Sequence, residues 1–380
     1  MSNYSEIIKY IRAQFNTNEF IPLHKPMFRG KEKEYVLDTI ESSFVSSVGP
    51  YVDKLELMIA DSSQTQKAVA VVNGTAALQV ALRLVGVKQG DEVLTQALTF
   101  IATVNAVLYN GASPIFIDVD LDTMGLSPIA VESFLEENCE IRDGACYNRK
   151  TNKKIAACMP MHTFGFPIHL DELIFVCNKW HIPIVEDAAE SVGSKYKNRS
   201  TGSFGKIGVF SFNGNKIVTS GGGGAIVTND INVGLHAKHL TTTAKIPHPY
   251  EYVHDEIGYN FRMPNINAAL ICAQLEQLDI FLEDKRSLAS GYKMFFDKLG
   301  INFRTELPNT KANYWLMCIQ LENKTERDIF LKESNSNNVM SRPIWQLIFK
   351  SPLYAGFQRD SQKNALFLEE RIVNIPSSVR

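Results

Sequence analysis

The sequence predicts an α/β layer fold with a mainly parallel central sheet in a large domain, followed by a smaller C-terminal α+β domain. Three observations predict it. Between residues 67 and 229 short apolar runs alternate with helical patterns, as strands linked by crossover helices do. The runs are apolar throughout rather than alternating, which fits strands covered on both faces. After about residue 265 the alternation stops. The expected division is an N-terminal arm plus large domain over 1–264 and a small domain over 265–380.

Each element follows from its local pattern. Ile7, Ile8, Ile11 and Phe15 lie on one face of a short helix over 5–15. Pro22 and Pro26 mark an extended entry, and helices over 30–43 and 50–60 flank the turn at 48–50. Strands are expected at 67–72, 91–96, 113–119, 155–161, 182–188, 207–212 and 224–229, with helices over 75–86, 100–110, 128–137 and 170–179. Residues 140–154 are a polar excursion. A long helix over 265–297, strands at 301–304 and 314–321, and helices at 325–334 and 361–372 complete the chain.

Composition narrows the function. The chain has 380 residues, 45% hydrophobic and 21% charged, enough for a large domain and a smaller one. Lys+Arg 39 against Asp+Glu 41 leaves a net charge of −2, so no basic excess points to nucleic acid or a membrane surface. The N-terminus lacks a signal-peptide core, and no apolar run reaches spanning length, so a soluble cytoplasmic protein is expected. Six cysteines without C-x-x-C spacing read as free thiols. No metal site is expected: His236 and His239 are three apart, but no ligand pattern surrounds them.

Three motifs carry chemistry. In VVNGTAALQVAL a strand ends, Asn73-Gly74-Thr75 turns, and a helix begins. Gly74 allows close backbone approach, and a helix start suits a phosphate. Taken alone, an ordinary turn with a Thr75 cap fits this fragment better. In IPIVEDAAES an apolar strand delivers Glu186 and Asp187 at its C-terminal end, where such folds place ligands. A carboxylate there can pair with a protonated ring nitrogen, and a helix-capping Asp fits the fragment equally well. In FSFNGNKIVTSGGGG, Lys216 follows a strand and precedes Gly221 to Gly224, with Ser211 and Asn213 in the same loop. A lysine held away from bulk water can act as a nucleophile. In this order the motifs offer partners for the phosphate, ring nitrogen and aldehyde of pyridoxal phosphate.

With these motifs the chain resembles the DegT/DnrJ/EryC1/StrS sugar aminotransferases, of the fold type I pyridoxal-phosphate class, from about Ile21 to the C-terminus. The resemblance is carried by NGTAAL (73–78), LTFIATVNAV (98–107), DVD (118–120), MHTFG (161–165), EDAAES (186–191), FSFNGNK and GYNFRMPNINAAL (258–270). It implies that Lys216 carries the cofactor as a Schiff base and then shuttles protons, and that Asp187 pairs with the ring nitrogen. It places Gly74, Thr75 and Ser211 at the phosphate, Phe100 on the ring and His162 near the cofactor face, with Asn213 among the cofactor-binding residues. Glu190 stands where most members have Gln, beside the ring oxygen, so it must be protonated or paired. Asn260 is implied to reach the phosphate of a second subunit, giving a homodimer with shared sites.

Within the family the chain is most similar to the LegC-type branch, through 44–56, 238–265 and 342–345. That likeness implies a UDP-linked 4-keto-6-deoxy-N-acetylhexosamine as substrate and glutamate as amino donor, in glycan biosynthesis of the bacillosamine or legionaminic acid type. Lys245, His248, Tyr250, His254 and Tyr259 are implied substrate residues, and Arg342 is assigned to the nucleotide. The rival readings are an aminotransferase for a GDP- or TDP-linked keto sugar, a cofactor-binding regulator without turnover, and a nicotinamide oxidoreductase. Lys216 and Asp187 speak against the regulator, and the absence of G-x-G-x-x-G speaks against the oxidoreductase.

Overall fold

The structure is a computed structural model describing residues 4–380. Strand Lys67–Val71 pairs antiparallel with Gly224–Thr228, which pairs antiparallel with Ile207–Ser211, which runs parallel to Val185–Asp187. The parallel bridges Cys158↔Ile184 and Met161↔Asp187 join these four to three parallel strands, Ile155–Met159, Glu92–Gln96 and Ser113–Ile117. Only Gly224–Thr228 runs against the rest of this sheet. The glycines before it explain how the chain turns back: Gly221 and Gly223 have φ of +79° and +138°, and a Cβ on Gly224 would lie 2.5 Å from the Asn73 carbonyl carbon.

A second sheet, ordered Asn302–Phe303, Met317–Gln320, Ile372–Ile375, Arg342–Pro343, is antiparallel throughout. Residues 372–375 are therefore a strand, and the expected final helix ends at Glu369. The long helix expected over 265–297 is two helices, Asn265–Leu275 and Leu278–Lys298. The first packs on helices Glu32–Glu41 and Pro50–Ser63, and at the break Gln274 and Gln277 both donate to Glu32 Oε1.

A hairpin and a helix are among the elements that escaped the sequence reading. The polar excursion is a hairpin, Cys139–Arg142 with Ala145–Asn148, turning on Asp143 and Gly144 at positive φ. Helix Ile231–Thr241 starts where Asp230 accepts hydrogen bonds from the N–H groups of Asn232 and Val233. All six cysteines are free and buried, and among the described residues no helix is long and apolar enough to cross a membrane.

Candidate active site

A cavity of about 580 Å³ opens at the carboxyl edge of the large sheet. Its wall brings together Gly74, Thr75, Phe100, Asp187, Glu190, Ser211, Asn213 and Lys216, which the sequence assigned to a cofactor. Trp315, Arg342, Trp345 and Asn374, from the second sheet and its approaches, close the other side.

The first wall is the start of helix Gly74–Leu84. Its cap is Asn73, whose side chain accepts from the Ala76 N–H at 2.8 Å, so the expected capping role of Thr75 is corrected. Thr75 is left on the cavity wall with its hydroxyl. Gly74 packs on Ser211, and a Cβ on Gly74 would come 2.9 Å from the Ser211 Cβ. Replacing this glycine by alanine is therefore predicted to push Ser211 outward and weaken cofactor affinity about tenfold, the size of a ~1.4 kcal/mol displacement, measurable by titrating the stripped protein with pyridoxal phosphate.

The second wall is the end of strand Val185–Asp187. Asp187 is 2% exposed; its Oδ2 accepts from the Thr103 hydroxyl at 2.7 Å and its Oδ1 from the Ala189 N–H at 3.1 Å. Burial raises its pKa. The Thr103 and Ala189 hydrogen bonds and the charges of Lys216 and His162 oppose that rise. Strand alternation sends Glu186 the other way. Its carboxylate is fully buried and accepts from the N–H groups of Gly202 (2.8 Å), Phe204 (2.6 Å) and Gly205 (2.6 Å). Of the two carboxylates the motif offered, Asp187 alone faces the cavity. Glu186→Gln is expected to lower thermal stability by about 1–3 kcal/mol, because an amide NH₂ would face a backbone donor. Cofactor binding by the folded variant should be unchanged.

His162 also needs correcting. It adjoins Met161, which lines the cavity, so its side chain takes the opposite direction. It is fully buried, with Nε2 3.0 Å from Glu186 Oε2 and Nδ1 accepting from the Ile168 N–H at 3.4 Å. It lies behind the strand and does not reach the cavity. Within one chain Lys245, His248, Tyr250, His254, Tyr259 and Asn260 do not line the cavity either. Their segment folds back on itself through the bridge Lys245↔His254. Lys245 sits over the Tyr252 ring, His248 accepts from Glu251 N–H, and His254 meets the Thr243 carbonyl. Tyr250 is exposed, the Tyr259 hydroxyl bonds Arg83 at 3.1 Å, and the Asn260 side chain accepts from Arg262.

Lys216 Nζ lies 3.3 Å from Glu190 Oε1, while Glu190 Oε2 accepts from the Phe164 N–H at 2.9 Å. Burial pushes Glu190 from an ordinary 4.5 to about 7, with the Lys216 charge holding it down. Folded protein thus keeps a proton that the unfolded chain releases. Stability is predicted to fall as pH rises between about 4.5 and about 7. Glu190→Gln should flatten that slope in melting temperatures taken across the interval. A second buried lysine, Lys285, is pushed down to about 7 by burial, but its amine donates to the Trp315 and Ser377 carbonyls and does not line the cavity.

The donor set fits pyridoxal phosphate. A helix start with Thr75 and Ser211 hydroxyls suits the phosphate, a buried carboxylate suits a ring nitrogen that carries a proton, and Phe100 offers an apolar face between them. Lys216 supplies the amine an aldehyde needs. Thr103, Asn313 and Trp315 belong to this site and were not singled out from the sequence. Thr103 carried a signal, standing three residues after Phe100 at the start of a helix; Trp315 and Asn313 carried none.

The model of the DegT/DnrJ/EryC1/StrS aminotransferase family matches residues 26–380. EpsN of Bacillus subtilis (strain 168), named as a pyridoxal phosphate-dependent aminotransferase, is 38% identical over 335 residues, 88% of this chain and 84% of its own. The GDP-perosamine synthase of Escherichia coli O157:H7 is 36% identical over 361 residues, 94% of this chain and 93% of its own. Among solved structures, Helicobacter pylori PseC, an aminotransferase involved in the biosynthesis of pseudoaminic acid, superposes with a TM-score of 0.83 at 22% identity. The match covers 94% of each chain and speaks for the fold.

Proposed function

This chain belongs to the DegT/DnrJ/EryC1/StrS aminotransferase family and is a pyridoxal-phosphate-dependent sugar aminotransferase, and on that premise we propose that it transfers an amino group from glutamate to C4 of a nucleotide-linked 4-keto sugar. The observation that carries this reading is the Lys216 amine and the Asp187 carboxylate on one cavity wall. Bound pyridoxal phosphate supplies an aldehyde that takes up an amino group and a ring that accepts electrons from the carbon losing its proton.

The chain's own residues do the rest. Lys216 would hold the cofactor through its amine, and the same amine is the group placed to take a proton from one carbon and return it to another. Asp187, held by Thr103 and Ala189, keeps the proton on the ring nitrogen. Thr75, Ser211, Asn213 and the helix start hold the phosphate. Phe100 covers the ring and excludes water. Glu190, 3.3 Å from the Lys216 amine, would face the ring oxygen in its protonated form or stay paired with Lys216.

For the substrate we favour a UDP-linked 4-keto-6-deoxy-N-acetylhexosamine, on the likeness of 238–265 and 342–345 to LegC-type enzymes. A GDP-linked 4-keto-6-deoxy sugar is the second reading, supported by relatives named GDP-perosamine synthases at 36% and 33% identity. Incubation with glutamate and UDP-, GDP- or TDP-linked 4-keto sugars, followed by mass, decides between them. The favoured reading requires turnover of the UDP-linked sugar at least about tenfold above the others, a ~1.4 kcal/mol discrimination. Turnover of the GDP-linked sugar alone would replace it.

The working form in this proposal is a homodimer in the cytoplasm, in which Asn260 and residues 245–259 serve the partner subunit's cavity. Support comes from Leu37, Ile40, Phe44, Val45 and Val48, which lie exposed along one stretch of the chain. A mass in solution of twice 42.6 kDa is expected, and a monomer at working concentration would contradict it.

A further inference from the structure

Lys216 is not held by its own loop alone. Its Nζ lies 3.6 Å from the centroid of the Trp315 ring and 3.3 Å from Glu190 Oε1, between a π face and a carboxylate. Trp315 is itself fixed at both ends. Its indole N–H donates to the carbonyl of Asn215, the residue before Lys216, at 2.7 Å, and its backbone N–H donates to Asn313 Oδ1 at 2.8 Å. The Asn313 amide in turn donates to the Glu190 and Val192 carbonyls at 2.8 and 2.9 Å. One buried amide therefore ties the ring and the carboxylate together on either side of the lysine. Gly165 makes room for it: at φ +93° it faces Asn313, and a Cβ there would lie 1.8 Å from Asn313 Oδ1.

We propose that Trp315 is a positioning residue for Lys216, its ring face and Glu190 forming a seat that holds the lysine amine at the cavity wall. The inference rests on the reading of Lys216 as the residue that bonds the cofactor. A ring face attracts an ammonium and is indifferent to a neutral amine. Two further charged groups share the cavity wall with Lys216: Asp187, which adds to the attraction, and Arg342, which opposes it. Burial, with Lys285 and Lys216 nearby, holds the His24 pKa well below its ordinary value. A lysine that moves a proton between two carbons must keep that proton between the two transfers. The seat gives it a place to do so away from bulk water.

The test uses the full chain stripped of cofactor, following the rate of pyridoxal phosphate uptake against pH, since the amine must leave the ring face and the carboxylate before it adds to an aldehyde. Trp315→Met removes the π face while filling much of the space; Trp315→Phe keeps a ring face and loses only the N–H. Trp315→Met and Glu190→Gln are each expected to take up cofactor ~2- to 30-fold faster than wild type at neutral pH, the range that a cation–π or charge contact of this kind spans. Trp315→Phe should stay within about threefold of wild type, because its ring face retains part of the contact. A Trp315→Met profile that coincides with wild type overturns the proposal, as does a Trp315→Phe shift as large as that of Trp315→Met. Lys216→Ala taking up cofactor at the wild-type rate would instead overturn the reading of Lys216 itself.

Discussion

Lys216→Ala should lower amino transfer by roughly 10³- to 10⁴-fold or more, because it removes both the group that bonds the cofactor and the acid–base group that moves the proton. Among the described residues no other lysine lines the cavity, and the buried Lys285 has its amine committed to two backbone carbonyls. Lys216→Arg should fare no better, since a guanidinium does not give up its proton at working pH. Rapid mixing of the loaded variant with glutamate isolates the first half-reaction. A variant retaining more than about a tenth of the wild-type rate would show that the proton moves through another residue, since loss of an acid–base group costs at least ~10²-fold.

Asp187→Asn carries the second largest expected effect. Removing the charge that opposes the ring nitrogen is predicted to cost about 10²- to 10³-fold in turnover, the ~3–4 kcal/mol typical of an electrostatic partner at the reacting group. Asp187 is buried with no cation bonded to it directly, which is why burial raises its pKa. A ligand cation at this position therefore stabilises the folded protein. Adding pyridoxal phosphate should raise the melting temperature of wild type by several degrees and that of Asp187→Asn by much less. Equal shifts would mean that the carboxylate and the ring nitrogen do not meet. Thr103→Val, which removes one hydrogen bond to Asp187, should fall between the two, near a tenfold loss from a ~1.4 kcal/mol change.

The large sheet and the cofactor wall were legible because their logic is local. Each strand of the parallel part announced itself as an apolar run, and parallel strands with crossover helices deliver all their carboxyl ends to one edge. Three motifs written far apart, around Gly74, Asp187 and Lys216, therefore had to meet. The direction of His162 was legible too, through the period of two that opposes it to Met161, but family position outweighed that signal. The Asp143-Gly144 hairpin was missed because its polar composition masked a turn dipeptide that favours positive φ.

Trp315 and Asn313 could not be read in the same way. Trp315 and Asn313 reach Lys216 and Glu190 from about a hundred residues further along the chain, through contacts that no spacing rule encodes. The second sheet was partly hidden for a related reason. Its strands are two to four residues long, and Ile372–Ile375 follows directly on a helix whose apolar pattern runs into it.

Borohydride reduction of the loaded protein, followed by proteolysis and mass spectrometry, tests the central claim most directly. One modified peptide is predicted, heavier by one reduced pyridoxal phosphate and carrying it on Lys216. A label on Lys285, or no label in protein that has taken up the cofactor, would contradict the site described here.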